Sequence, residues 1–105
     1  MNEEMKKWSH LKRAYQEIRP QTIQPAVWTA LNELTNPAFW NQLERERSDG
    51  VFDWGLSTLD NALLCIELTS PLEIEIRKEL KALFPRFAGM TYESFAALEE
   101  REAMA

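Results

Sequence analysis

The chain has 105 residues, 45% of them hydrophobic, and a net charge of −5 at pH 7. This length fits one ordinary domain, and the composition is too apolar for a disordered chain. The longest uninterrupted apolar run, residues 62–66, is far shorter than the roughly 20 residues of a membrane-spanning helix. We therefore predict one folded domain over residues 1–105, without a transmembrane segment.

The cysteine content and the N-terminus indicate a compartment. Cys65 is the single cysteine, so the chain can form no internal disulfide, and its apolar neighbours Leu64 and Ile66 suggest that it is buried. The first residues are acidic and polar, unlike a secretory signal. Both features predict a cytoplasmic protein.

The first helix is predicted over residues 2–18. Apolar residues recur there at spacings of three or four, which places them on one helical face. These residues are Met5, Trp8, Leu11, Tyr15 and Ile18. Pro20 should end the helix before the rest of the domain begins, and we consider that this helix could be semi-independent.

A short internal repeat predicts the next two helices. The pattern Pro-Ala-apolar-Trp-x-x-Leu begins at Pro25 and again at Pro37, and proline suits the first position of a helix. The second helix should end near Leu34, with a polar cap at Thr35-Asn36 before the third. The third should end in the charged run 44–47, which looks solvated.

Two further helices are predicted at 57–68 and from Ser70 to about Phe84. Ser57 or Thr58 can cap the first of them, and Ser70-Pro71-Leu72-Glu73 matches a capping box. Pro85 should end the latter helix. A last helix should begin at Thr91, with a frayed tail at 99–105.

The fold class that follows is all-α, a compact bundle of about five to six short helices. One alternative is α+β, because residues 72–77 alternate strictly between apolar and charged residues and could pair in a hairpin around 62–77. The helix-forming run at 78–83 and the marginal stability of a lone hairpin in water favour the helix.

No residue pattern points to catalysis, a cofactor or a metal. His10 is the single histidine, and we expect it on the solvated side of the first helix. With one histidine and one cysteine, the usual zinc and di-iron ligand sets cannot be assembled. The glutamates and aspartates near 44–49, 73–79 and 99–102 alternate with Arg or Lys, which is typical of solvated helix faces. We predict no enzyme, no cofactor and no metal.

The aromatic content points instead to an interface. Four tryptophans are many for so small a core, so we expect about one to remain partly exposed, as an anchor for a partner would be. Trp28 and Trp40 are assigned to the core. The candidate interface residues are Trp8, Tyr15 and Trp54.

The first helix also carries a candidate basic surface. Residues 1–19 hold five Lys or Arg against three Glu, whereas residues 20–105 hold seven against fourteen Asp or Glu. The candidate residues are Lys6, Lys7, Lys12, Arg13 and Arg19. Pairing with acidic faces within the fold or in an oligomer is the preferred interpretation, and nucleic acid the minor one.

Three functional hypotheses follow. The first is a non-enzymatic helical protein-interaction module, such as a regulator, inhibitor or accessory subunit, which could be a homodimer. The second is an accessory factor for nucleic acid or an anionic surface that uses the basic first helix. The third, least supported, is a small enzyme that uses carboxylates alone.

Overall fold

A computed structural model describes residues 3–18 and 20–89, and within these ranges the chain is helical with no strand. The five α-helices are α1 (Glu3–Gln16), α2 (Pro25–Leu34), α3 (Pro37–Asp49), α4 (Trp54–Cys65) and α5 (Pro71–Ala88), and a 3₁₀ turn spans Pro20–Thr22. The all-α fold class is confirmed. The alternative hairpin around 62–77 is wrong, because α4 and α5 occupy most of that region. The predicted last helix and the tail at 99–105 lie outside the described residues.

Local sequence signals set most of the helix starts. Helices α2, α3 and α5 each begin with a proline. The Asn36 carboxamide oxygen accepts a hydrogen bond from the Ala38 N–H at 3.1 Å, and the Ser70 hydroxyl accepts one from the Glu73 N–H at 3.4 Å. The predicted caps by Asn36 and Ser70 are therefore confirmed. The other half of the capping box is wrong, because the Glu73 carboxylate accepts from Thr69 instead of from the Ser70 N–H.

Several predicted helix boundaries are wrong: α1 ends at Gln16 rather than at 18, and α3 continues beyond 47 to Asp49. Helix α4 spans Trp54–Cys65 rather than 57–68, so neither Ser57 nor Thr58 begins it. Helix α5 continues through Pro85 to Ala88. A proline inside a helix removes one hydrogen bond, but Phe84, Pro85 and Phe87 are all buried, and this packing keeps the backbone helical.

One hydrophobic core joins all five helices. Helix α4 packs against α2, α3 and α5, while α1 packs against α2 and α5. Trp8 and Tyr15 bring α1 into the same cluster as Leu31, Leu59 and Leu80. Helix α1 is therefore packed into the common core rather than attached loosely to it.

The remaining tryptophans and the cysteine differ in burial. Trp28 and Trp40 are partly buried against the core, as their assignment requires. Cys65, predicted to be buried, is exposed. The reason is the helical register, because α4 turns Leu56, Leu59, Ala62 and Leu63 inward and leaves Cys65 on the other side. None of the described helices is both long and apolar enough to cross a membrane.

Candidate interaction surface

The segment between α3 and α4 presents three large apolar side chains to solvent. Val51, Phe52 and Trp54 are 46%, 54% and 53% exposed, and we call these three residues the linker surface. Isolated exposed apolar residues are ordinary, but several close together in the chain are typical of a contact site. The linker surface is therefore a candidate contact site.

Both aromatic rings of the linker surface also touch the core. Trp54 meets Phe39 edge to face with ring centroids 5.5 Å apart, and Phe52 meets Phe84 in the same way at 5.9 Å. Such contacts favour a defined ring orientation. Each ring therefore has one side packed and the other open to a partner.

Glu46 of α3 holds the backbone of this segment. Its carboxylate is 2% exposed. Oε1 accepts hydrogen bonds from the N–H groups of Asp53 (3.0 Å) and Leu56 (3.1 Å), and Oε2 accepts one from Gly55 (3.0 Å). The Asp53 side chain makes no capping hydrogen bond. The Glu46 carboxylate, from the preceding helix, instead accepts the N–H groups at the start of α4 that have no partner within the helix. This interaction fixes where Trp54 emerges.

Gly55 makes the approach of that carboxylate possible. A Cβ atom at position 55 would lie 2.6 Å from Glu46 Oε2 and 3.1 Å from Leu43 Cδ2. Both distances are shorter than ordinary van der Waals contact. The absence of a side chain at Gly55 thus lets α3 and the start of α4 come together.

Of the predicted interface residues, only Trp54 lies on the surface. Trp8 and Tyr15 are both completely buried, so the expected exposure of Trp8 is wrong. The face of α1 that carries them packs on α2 and α5 instead.

The Tyr15 hydroxyl accepts a hydrogen bond from the Gln24 N–H at 2.7 Å, and burial raises the pKa of this phenol above its ordinary range.

The basic residues of α1 interact largely with their own fold. Lys7 Nζ lies 2.7 Å from Glu79 Oε2 on α5, and Lys12 Nζ lies 5.7 Å from the centre of the Trp28 ring. Lys6 is 3.7 Å from Glu3. Arg13 is exposed, and Arg19 lies outside the described residues. Of these contacts, the Lys7–Glu79 pair joins a basic residue of α1 to an acidic residue of another helix.

The groups considered for catalysis are dispersed. His10 is exposed, as expected. In the ranges that the structure describes, no three His, Cys, Asp or Glu side chains come together to hold a metal ion. The expectation that the acidic clusters are solvated is wrong for Glu46 and Glu73, which are 2% and 1% exposed. Both carboxylates bind backbone N–H groups and thereby act structurally.

Glu73 anchors the connector between α4 and α5. Its Oε2 accepts hydrogen bonds from the Thr69 N–H (2.8 Å), from the Thr69 hydroxyl (2.5 Å) and from Gln24 Nε2 (3.1 Å). The Gln24 carboxamide also donates to Glu67 O (2.8 Å) and accepts from Glu67 N (2.7 Å). These bonds tie the start of α2 to the connector, beside an open hollow of about 580 Å³.

Sequence reasoning missed Glu46 and did not nominate Val51 or Phe52. The run 51–55 is recognisable as a compact aromatic link after the turn-forming residues 48–50. That signal identifies an aromatic connector but cannot say which ring is exposed. The burial of Glu46 had no signal, because its neighbours in the chain are charged.

Comparisons with protein-family models, with curated proteins and with solved structures found no match to this chain.

Proposed function

We propose that this protein is a small, non-enzymatic interaction module that binds a protein partner through the linker surface. The observation that carries the proposal is the exposure of Trp54 and Phe52 on a segment whose backbone is fixed by Glu46. The role of such a module would be that of a regulator, an inhibitor or an accessory subunit.

Two physical arguments support this surface. Aromatic residues dominate the energetics of protein interfaces because they bury a large area with few rotatable bonds. A segment that is already ordered loses less conformational entropy on binding than a mobile one. The three hydrogen bonds that the Glu46 carboxylate accepts and the ring contacts with Phe39 and Phe84 provide that order.

A second copy of the chain is the simplest partner to test. A two-fold interface places the same patch on both subunits, and the three side chains of the linker surface are all apolar. The exposed single cysteine fits a reducing compartment, and we place the protein in the cytoplasm as part of this proposal.

The experiment compares the wild type with Trp54→Ser and Phe52→Ser. The matched control is Leu64→Ser, which removes a side chain that is 73% exposed on α4 but lies outside the linker surface. Sedimentation velocity tests self-association, and affinity capture from the native lysate, with and without nuclease, tests other partners.

We expect dimerisation, or nuclease-resistant capture of a specific protein, to be lost in both linker variants and retained in Leu64→Ser. Equal behaviour of all four proteins would overturn the proposal. So would a nuclease-sensitive, salt-labile capture, which would favour nucleic acid bound by the basic residues of α1.

A further inference from the structure

A second surface feature lies apart from the linker surface, where the α4–α5 connector meets the first half of α5. It is a groove of about 250 Å³, which we call the basic groove. Its lining residues are Leu68, Ile74, Arg77, Lys78 and Lys81. The four α5 residues recur at spacings of three, one and three, so they form one stripe along the helix.

The basic groove combines exposed apolar surface with positive charge. Leu68 is 47% exposed, Ile74 is 54% exposed, and Lys78 is also exposed. Residues 20–105 contain seven Lys or Arg against fourteen Asp or Glu, and three of those seven line this groove. Positive charge is therefore concentrated here on an otherwise acidic part of the chain.

We propose that the basic groove binds a short amphipathic helix of a partner protein whose apolar side chains are flanked by carboxylates. In this mode an apolar stripe enters a groove and charges at the rim select the partner. Leu68 and Ile74 would contact the apolar stripe. The exposed Lys78 would face the carboxylates.

The size and charge of the basic groove favour such a helix over a small molecule, a second copy of this chain or a membrane. Its volume is below the roughly 300–1,000 Å³ of small-molecule sites, so it suits a few side chains of a larger partner. Two copies that met through this patch would bring like charges together. An anionic membrane is a flat surface, which does not match the concave shape of the groove.

The probe is a fluorescein-labelled synthetic peptide with leucines at positions i, i+4 and i+7, glutamates beside the leucines and helix-favouring alanines at the remaining positions. Its binding to the full-length protein is followed by fluorescence anisotropy at low and at physiological salt. The test variants are Lys78→Glu and Ile74→Ser. The matched controls are Lys6→Glu, an equal charge change on α1, and Leu64→Ser, an exposed apolar residue outside the groove.

We expect saturable binding that weakens with salt and falls about tenfold or more in each test variant, with both controls close to wild type. Circular dichroism checks that every variant is folded. Trp54→Ser should leave peptide binding unchanged, so the outcome here is separate from that of the linker surface.

Three kinds of result would each overturn the proposal. The first is the absence of saturable binding, or an equal loss in Lys6→Glu. The second is binding to phosphatidylglycerol vesicles that Lys78→Glu abolishes and the peptide does not displace. The third is self-association of the wild type that Lys78→Glu abolishes.

Discussion

The carboxylate of Glu46 occupies the space that a side chain at Gly55 would need. Glu46 Oε2 accepts the Gly55 N–H at 3.0 Å and lies 2.6 Å from the place of a Cβ atom there. Glu46, near the end of α3, thus packs closely against Gly55 at the beginning of α4. The position of Trp54, and with it the proposed interface, depends on this fit.

Gly55→Ala should destabilise the protein. Overpacking of a buried contact costs roughly 1–3 kcal/mol, which outweighs the gain of up to about 1 kcal/mol from replacing glycine by alanine in a helix. The measurement is the free energy of unfolding in urea. Ser57→Ala, at an exposed position of the same helix, is the control, and a Gly55→Ala protein as stable as this control would contradict the prediction.

Glu46→Gln should lower the free energy of unfolding by about 1–3 kcal/mol. The two carboxylate oxygens accept from three N–H groups, whereas an amide has only one acceptor oxygen and must point its NH₂ group at a donor. Hydrogen exchange of the Gly55 and Leu56 amides should become faster. Glu44→Gln, at an exposed position of α3, should have little effect, and equal effects of both variants would argue against this role of Glu46.

Gln24→Ala should loosen the α4–α5 connector. The substitution removes two hydrogen bonds to the backbone of Glu67 and one to Glu73, at an expected cost of about 1–3 kcal/mol. Amide exchange at Glu67 should rise more than exchange in the middle of α4. Gln21→Ala, in the exposed 3₁₀ turn, is the matched control, and unchanged protection of Glu67 would refute the prediction.

The stability of the protein should fall in alkaline solution as Tyr15 ionises. Burial raises the pKa of Tyr15 above 10.0 in the folded state, so the folded protein holds this proton more tightly than the unfolded chain does. The stabilisation is therefore complete below about pH 10 and is lost as the pH rises through the folded-state pKa.

The measurement is the free energy of unfolding between pH 7 and pH 11 for the wild type and Tyr15→Phe. The variant should be less stable at neutral pH by about 1–2 kcal/mol, because the Gln24 N–H loses its acceptor. It should also lose less stability above pH 10. Tyr92→Phe, which changes the other tyrosine, controls for tyrosine ionisation in general, and parallel pH curves for the wild type and Tyr15→Phe would exclude this linkage.

The sequence predicted correctly those parts of the fold that are set by residues close together in the chain. The prolines at positions 25, 37 and 71 and the caps at Asn36 and Ser70 act on the next few residues only, so their effect can be read from the chain. The start of α4 was missed because its cap, Glu46, lies seven residues before Asp53 and belongs to another helix. The end of α5 was missed because tertiary packing overcame the local effect of Pro85.

The candidate surfaces were harder to predict than the helices. Trp54 and Trp8 are both candidate interface residues by sequence, but Trp54 is exposed and Trp8 is buried. Both are tryptophans with apolar and polar neighbours in the chain. Their exposure differs because other helices cover Trp8 but leave part of Trp54 in solvent. Periodicity identifies the apolar face of a helix, but it cannot say whether another element packs on every part of that face.

The sequence by itself determined that the chain folds as helices and where three of them begin, because spacing, proline and capping residues act over one or two turns. The tertiary structure decided which polar residues are buried and which apolar residues stay in solvent. Glu46 became a helix cap, and Phe52 and Trp54 remained half exposed. These outcomes depend on contacts between elements distant in the chain, which no local pattern encodes.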